Sequence, residues 1–131
     1  MEYKVLTQKD KWLSKKFDPL TLEGALNSYA NQGWRVRTGD TASFPGFFSG
    51  NREELVTVLE RDGNRPMIHE YKVLTQKDKW FSGKFDPEKL ELALNSYSQQ
   101  GWNVIFATTA SFPGFFSGDR EELIVVLERR A

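Results

Sequence analysis

The 131-residue sequence has no cysteine, which excludes a disulfide framework, thiolate metal ligands and a cysteine nucleophile. Histidine is nearly absent too. The single one, His69, leaves no basis for a clustered-histidine metal site, and no cofactor is implied. Neither charge is in excess, since 18 lysines and arginines balance 18 aspartates and glutamates. A nonspecific nucleic-acid binder normally carries a basic surplus, so nucleic acid is not an expected partner. No apolar run approaches the roughly 18 residues of a membrane span. The opening segment, MEYKVLTQKD, is charged and strand-like rather than an apolar signal core. These absences predict a cytoplasmic protein with no membrane association.

What is present is one unit written twice. Glu2–Arg61 aligns with Glu70–Arg129 at a constant offset of 68 residues, without a gap and with 45 identities in 60 positions. Such self-similarity is the signature of a tandem repeat. The boundaries read as a first repeat over 2–61, a polar linker over 62–69 (DGNRPMIH) and a second repeat over 70–130.

Each copy predicts the same elements. EYKVLTQ is rich in strand formers, and a connecting segment, KDKWLSKKF or KDKWFSGKF, follows it. Asp18-Pro19 and Asp86-Pro87 then supply an N-cap and a proline at the first helical position. Leu22, Ala25, Leu26 and Tyr29 recur at helical spacing, as do Leu90, Ala93, Leu94 and Tyr97. Gly33 and Gly101 read as C-terminal caps, each with a tryptophan just beyond. WRVRTGDTA and WNVIFATTA predict second strands. The segment SFPGFFSG, identical at 43–50 and 111–118, predicts a loop, and ELVTVLER and ELIVVLER predict third strands.

A unit of about 60 residues buries little surface alone. Its one helix covers one sheet face, yet Leu55, Val56, Val58 and Leu59, and the run Leu123-Ile124-Val125-Val126-Leu127, offer apolar side chains to both. The other copy is the natural cover. The expected fold class is therefore α+β: two tandem β-α-β-β repeats forming a pseudo-dimer, with antiparallel sheet and one helix per repeat, the helices outside.

The run Glu70-Tyr71-Lys72-Val73, the pair Gly101-Trp102 and the closing Arg120-Glu121-Glu122-Leu123 are the specific elements by which the chain resembles the bacterial domain-of-unknown-function family 4177. The resemblance covers both repeats. It implies a short β-α-β-β domain, usually present once per chain, and no activity, cofactor or catalytic residue.

These residues bear on three function classes. Catalysis has little to rest on. The adjacent acids Glu53-Glu54 and Glu121-Glu122 point to opposite faces of a strand and make poor acid–base partners, and the glycine segments match neither a P-loop nor a dinucleotide fingerprint. No enzyme is expected. A small-ligand reading rests on aromatics beside cations: Phe44, Phe47 and Phe48 with Arg52, and Phe112, Phe115 and Phe116 with Arg120. Lys11 with Trp12 and Lys79 with Trp80 form a second such cluster. Stacking plus a guanidinium suits a nucleotide-like anion. The same aromatics, on a domain too small to be self-sufficient, also suit packing or an association surface. The leading expectation is a self-assembling or protein-interaction module, a homo-oligomer or the binder of a protein partner, with binding of a small anionic ligand as the alternative.

Five of the 15 mismatches between copies fall on the second strand, where RVRTGD aligns with NVIFAT, and Asn51 and Thr57 add two more around the third. Arg37 and Ile105 are the expected interface positions: Ile105 buried against a neighbour and Arg37 open, on faces set by simple strand alternation.

Overall fold

A computed structural model of the chain describes residues 1–7, 18–46, 50–63, 68–75, 86–113 and 119–131, with backbone alone at 42–46, 50–54, 110–113 and 119–122. The elements run β1 (Glu2–Leu6), α1 (Pro19–Ala30), β2 (Arg35–Gly46), β3 (Gly50–Arg61), β4 (His69–Thr75), α2 (Pro87–Gln99), β5 (Asn103–Pro113) and β6 (Asp119–Arg130). They build two three-stranded antiparallel sheets, ordered β1-β3-β2 and β4-β6-β5. The fold is α+β, with one β-α-β-β unit per repeat.

Local chemistry sets the helix ends alike in both copies. The Asp18 carboxylate accepts the Leu20 N–H at 3.0 Å, and Asp86 accepts that of Glu88 at 3.0 Å. This satisfies amides that a helix start otherwise leaves without a partner. At the other end Gly33 and Gly101 adopt φ of 91° and 92°, the left-handed region open to glycine. Trp34 N–H then donates to the Tyr29 carbonyl and Gly33 N–H to that of Ala30, a Schellman closure repeated at Trp102 and Gly101. The closure returns each tryptophan to the core, where a guanidinium lies 4.4 Å from its ring centroid: Arg61 on Trp34, Arg129 on Trp102. Each arginine also pairs with the first strand, through Glu2 at 2.9 Å and Glu70 at 2.8 Å.

The halves then diverge in packing. Leu22, Ala25, Leu26 and Ala30 of α1 are all fully buried, whereas Ala93 is the one fully buried side chain of α2. In β6 the run Ile124–Leu127 is buried throughout, so both faces of the second sheet are covered. Val125 and Leu127 pack with α2; Ile124 and Val126 join Tyr71, Val73 and Phe106 in a cluster continuous with the first half's Leu22, Leu26, Val36 and Leu59. The matching strand β3 alternates instead, with Leu55, Thr57 and Leu59 buried and Val56 and Val58 half-buried. Among the described residues, the far face is buried in the second repeat and half open in the first, where two-sided burial was also expected. Nor are both helices outside. Helix α1 lies along β4, because its flank carries the groups that the edge of β4 needs.

Three further expectations are corrected. SFPGFFSG is not a loop throughout: β2 continues to Gly46, paired with Gly50, and β5 to Pro113, paired with Asp119. Both are edge strands, where proline's missing N–H can face away from the ladder. His69 is not linker but the first residue of β4, buried and opposite Arg130. Strict alternation fails on the second strands, since the register slips between Val36 and Thr38 and again between Val104 and Phe106. Arg37 and Ile105 are thus the extra residues of two β-bulges, which redirect the side chains that follow.

Candidate interaction surface

The best-defined polar constellation lies where the two repeats meet. Strand β4 is an edge, so the amides and carbonyls of alternate residues point away from β6 and need partners. Asn27, on the flank of α1, meets Tyr71 as one peptide group meets another. Its Nδ2 donates to the Tyr71 carbonyl at 3.1 Å, and its Oδ1 accepts the Tyr71 N–H at 2.7 Å. One turn earlier Glu23 accepts the Val73 N–H at 2.9 Å. The i, i+4 spacing of Glu23 and Asn27 puts both on one side of the helix. Side chains of α1 thereby act as a further strand for the second sheet.

Beneath this edge the Tyr71 ring is buried. Its hydroxyl donates to Glu128 at 2.7 Å and accepts the Val36 N–H of β2 at 2.8 Å. Arg35 closes the group with two bonds to Glu128, Nε to Oε2 at 3.1 Å and Nη2 to Oε1 at 3.0 Å. A bidentate guanidinium is the geometry that best compensates a buried carboxylate. Burial, and then the bond to Glu128, holds the Tyr71 phenol far above its ordinary pKa. The bond to Glu128 raises Arg35 as well, so it stays charged. Farther along, Thr108 donates to Asp40 at 3.0 Å. Gly39 leaves room for the Phe106 ring, which a Cβ there would overlap.

None of the central residues of this junction is among the candidate site residues read from sequence, and Tyr71 enters there only as part of the run that carries the family resemblance. Glu23, Asn27, Tyr71 and Glu128 are identical to Glu91, Asn95, Tyr3 and Glu60. A search for differences between the copies passes over them. The available signal was a pair of polar residues, four apart, beside the apolar stripe of each helix.

The first repeat presents the counterpart surface bare. Tyr3 is 65% exposed where Tyr71 is 3%, and Val5 is 55% exposed where Val73 is 7%. On the second repeat, Val104 is 48% exposed where Val36 is 2%. Glu91 and Asn95 are exposed, and among the described residues neither bonds to a strand edge.

The predicted positions fall as follows. Ile105 is half-buried and packs against the shared cluster, while Arg37 is exposed with Nε 3.6 Å from a Glu60 carboxylate oxygen. Phe44 is the ladder partner of Arg52, and Phe112 that of Arg120, so the register brings an aromatic opposite an arginine in each hairpin. Phe47, Phe48, Phe115, Phe116, Lys11, Trp12, Lys79 and Trp80 lie outside the described residues.

Two similar β-α-β-β halves joined in one chain define a tandem α+β repeat protein. Its family follows from comparison with known domains: the chain belongs to the domain of unknown function DUF4177, whose model matches it twice, over residues 1–62 and 69–130. No curated protein and no solved structure matches it. No helix among the described residues is long and apolar enough to cross a membrane.

Proposed function

We propose that the protein acts by association rather than by catalysis, as a self-assembling module. The observation that carries this reading is the exposure of Tyr3 and Val5, whose identical counterparts Tyr71 and Val73 lie in the junction between the two repeats. A side chain of this size contributes about 1.5–3 kcal/mol when it leaves water, so the bare surface is a standing driving force for contact. A tandem repeat satisfies one such surface internally and keeps one open. Sedimentation or light scattering tests the reading: the purified chain should have a solution mass of two or more chains, and a single-chain mass at tens of micromolar would defeat it.

A second reading, recognition of a nucleotide-like anion, is favoured by the register that pairs Phe44 with Arg52 and Phe112 with Arg120. Its test is thermal stabilisation by adenosine triphosphate. A ligand at 100 times its dissociation constant adds about 2.7 kcal/mol, and that gain should vanish in Arg52→Ala with Arg120→Ala.

A further inference from the structure

We infer that the junction inside the chain is also the junction between chains: the α2 flank, through Glu91 and Asn95, docks on the β1 edge, at Tyr3 and Val5, of a second copy. This rests on the self-association reading above and names the surfaces that carry it.

The internal junction is heterologous, one kind of surface meeting another. Helix α1 lies on β4, but α2 does not lie on β1, as a two-fold relation between the repeats would require. A heterologous contact between two units leaves one unused surface of each kind, and each is the complement of the other. Here the unused surfaces carry the same groups as the used ones. Glu91 and Asn95 repeat Glu23 and Asn27, four residues apart on a helix with the same caps. Tyr3 and Val5 repeat Tyr71 and Val73 on a strand that is likewise the edge of its sheet. Among the described residues, no side chain bonds to the backbone of Tyr3 or Val5 as Asn27 and Glu23 bond to that of Tyr71 and Val73.

The substitutions between copies preserve the fit. Where the internal junction sets Gly39 against Phe106, the external one sets Ala107 against Thr38, so a methyl is added where a ring is lost. Asp40 and Thr108 occupy the same position of the two repeats and already bond to each other within the chain, so this bond has no counterpart between chains. Arg35 on Glu128 becomes Asn103 toward Glu60, which gives up the ion pair. The external junction therefore keeps the helix flank and strand edge unchanged, with weaker contacts around them. Repeated from chain to chain it closes a ring, or extends as a filament where the rotation does not close.

Solution mass and complementation test this. Glu91→Ala with Asn95→Ala disables the α2 surface. Val5→Pro disables the β1 surface by deleting the outward N–H, and Tyr3→Ser does so without any backbone change. Each variant should associate about 10- to 100-fold more weakly than the parent, while keeping the parent's circular dichroism and, below the concentration at which the parent associates, its melting behaviour. An equimolar mixture of an α2 variant with a β1 variant should form a 1:1 pair and nothing larger, because each retains the surface that the other lacks. An assembled parent with equally assembled variants would place the contact elsewhere, overturning the inference but not the self-association reading. Dissociated variants that fail to complement would also overturn it, since they would mark a symmetric contact. A parent that runs as a single chain would overturn both.

Discussion

Tyr3 and Tyr71 stand in the same five-residue sequence, EYKVL, on the same edge position of the same small sheet, and one is 65% exposed where the other is 3%. The intrinsic preference of the residue is held constant, so the difference belongs to the neighbour. Tyr71 is covered by α1 and β2 of the first repeat, and no described residue covers Tyr3 in that way. The two halves of the molecule are therefore a built-in control. A substitution in one half reads the junction, and the same substitution in its twin reads everything else.

The largest contrast should come from the tyrosines. Tyr71→Ala removes a buried ring together with its bonds to Glu128 and Val36, and should destabilise the chain by about 3–5 kcal/mol in guanidinium unfolding. Tyr3→Ala, measured below the concentration at which chains associate, should change stability by less than about 1 kcal/mol. Equal losses would mean that the copies are packed alike.

Arg35 comes next. Its removal strands a carboxylate that is buried against Tyr71, a situation that costs about 3–5 kcal/mol for fully buried pairs. The Arg35 side chain is 44% exposed and water shares in its charge, so the loss for Arg35→Ala should be nearer 2 kcal/mol. Arg37, more exposed and 3.6 Å from Glu60, should lose less than about 1 kcal/mol on the same change.

The local features were legible because they are encoded within a few residues. Asp18-Pro19, Asp86-Pro87 and the two glycines fixed both helices before any tertiary contact was known, and the repeat fixed the architecture. The unbroken apolar run in β6 announced a sheet covered on both faces. It could not announce that β3, nearly the same sequence, would have one face half open, because near-identical sequences carry no record of which copy is covered. The bulges at Arg37 and Ile105 escaped a strict two-residue period for a related reason, since an extra residue shifts every later side chain without changing composition. The site shared that fate: Glu23 and Asn27 look like solvated helix residues until a strand edge is brought beside them.

Alkali should separate the tyrosines again, with a smaller effect. Burial and the bond to Glu128 raise the folded Tyr71 phenol far above its unfolded value of about 10. Below that value both states hold the proton and the group adds no pH dependence. Above it the unfolded chain releases the proton while the folded chain keeps it, so stability falls by about 1.4 kcal/mol per pH unit. Melting between about pH 10 and 11 should show this slope. Tyr71→Phe should flatten it by one proton's worth, and an unchanged slope would place the phenol in water.

The smallest effect concerns a core that the two copies built differently. Thr57 is fully buried beneath α1, and its hydroxyl finds no partner among the described residues. Its twin is Val125, of nearly the same shape, packed with Leu127 and Trp102. An unsatisfied buried hydroxyl carries a desolvation cost that a methyl does not. Thr57→Val should therefore stabilise the chain by about 1 kcal/mol, read as a higher midpoint with an unchanged denaturant slope. Val125→Thr should cost at least as much, since it introduces the same orphan group into a site that was dry. If instead Thr57→Val destabilises, the hydroxyl has a bonding partner, and the two cores differ in chemistry as well as in packing.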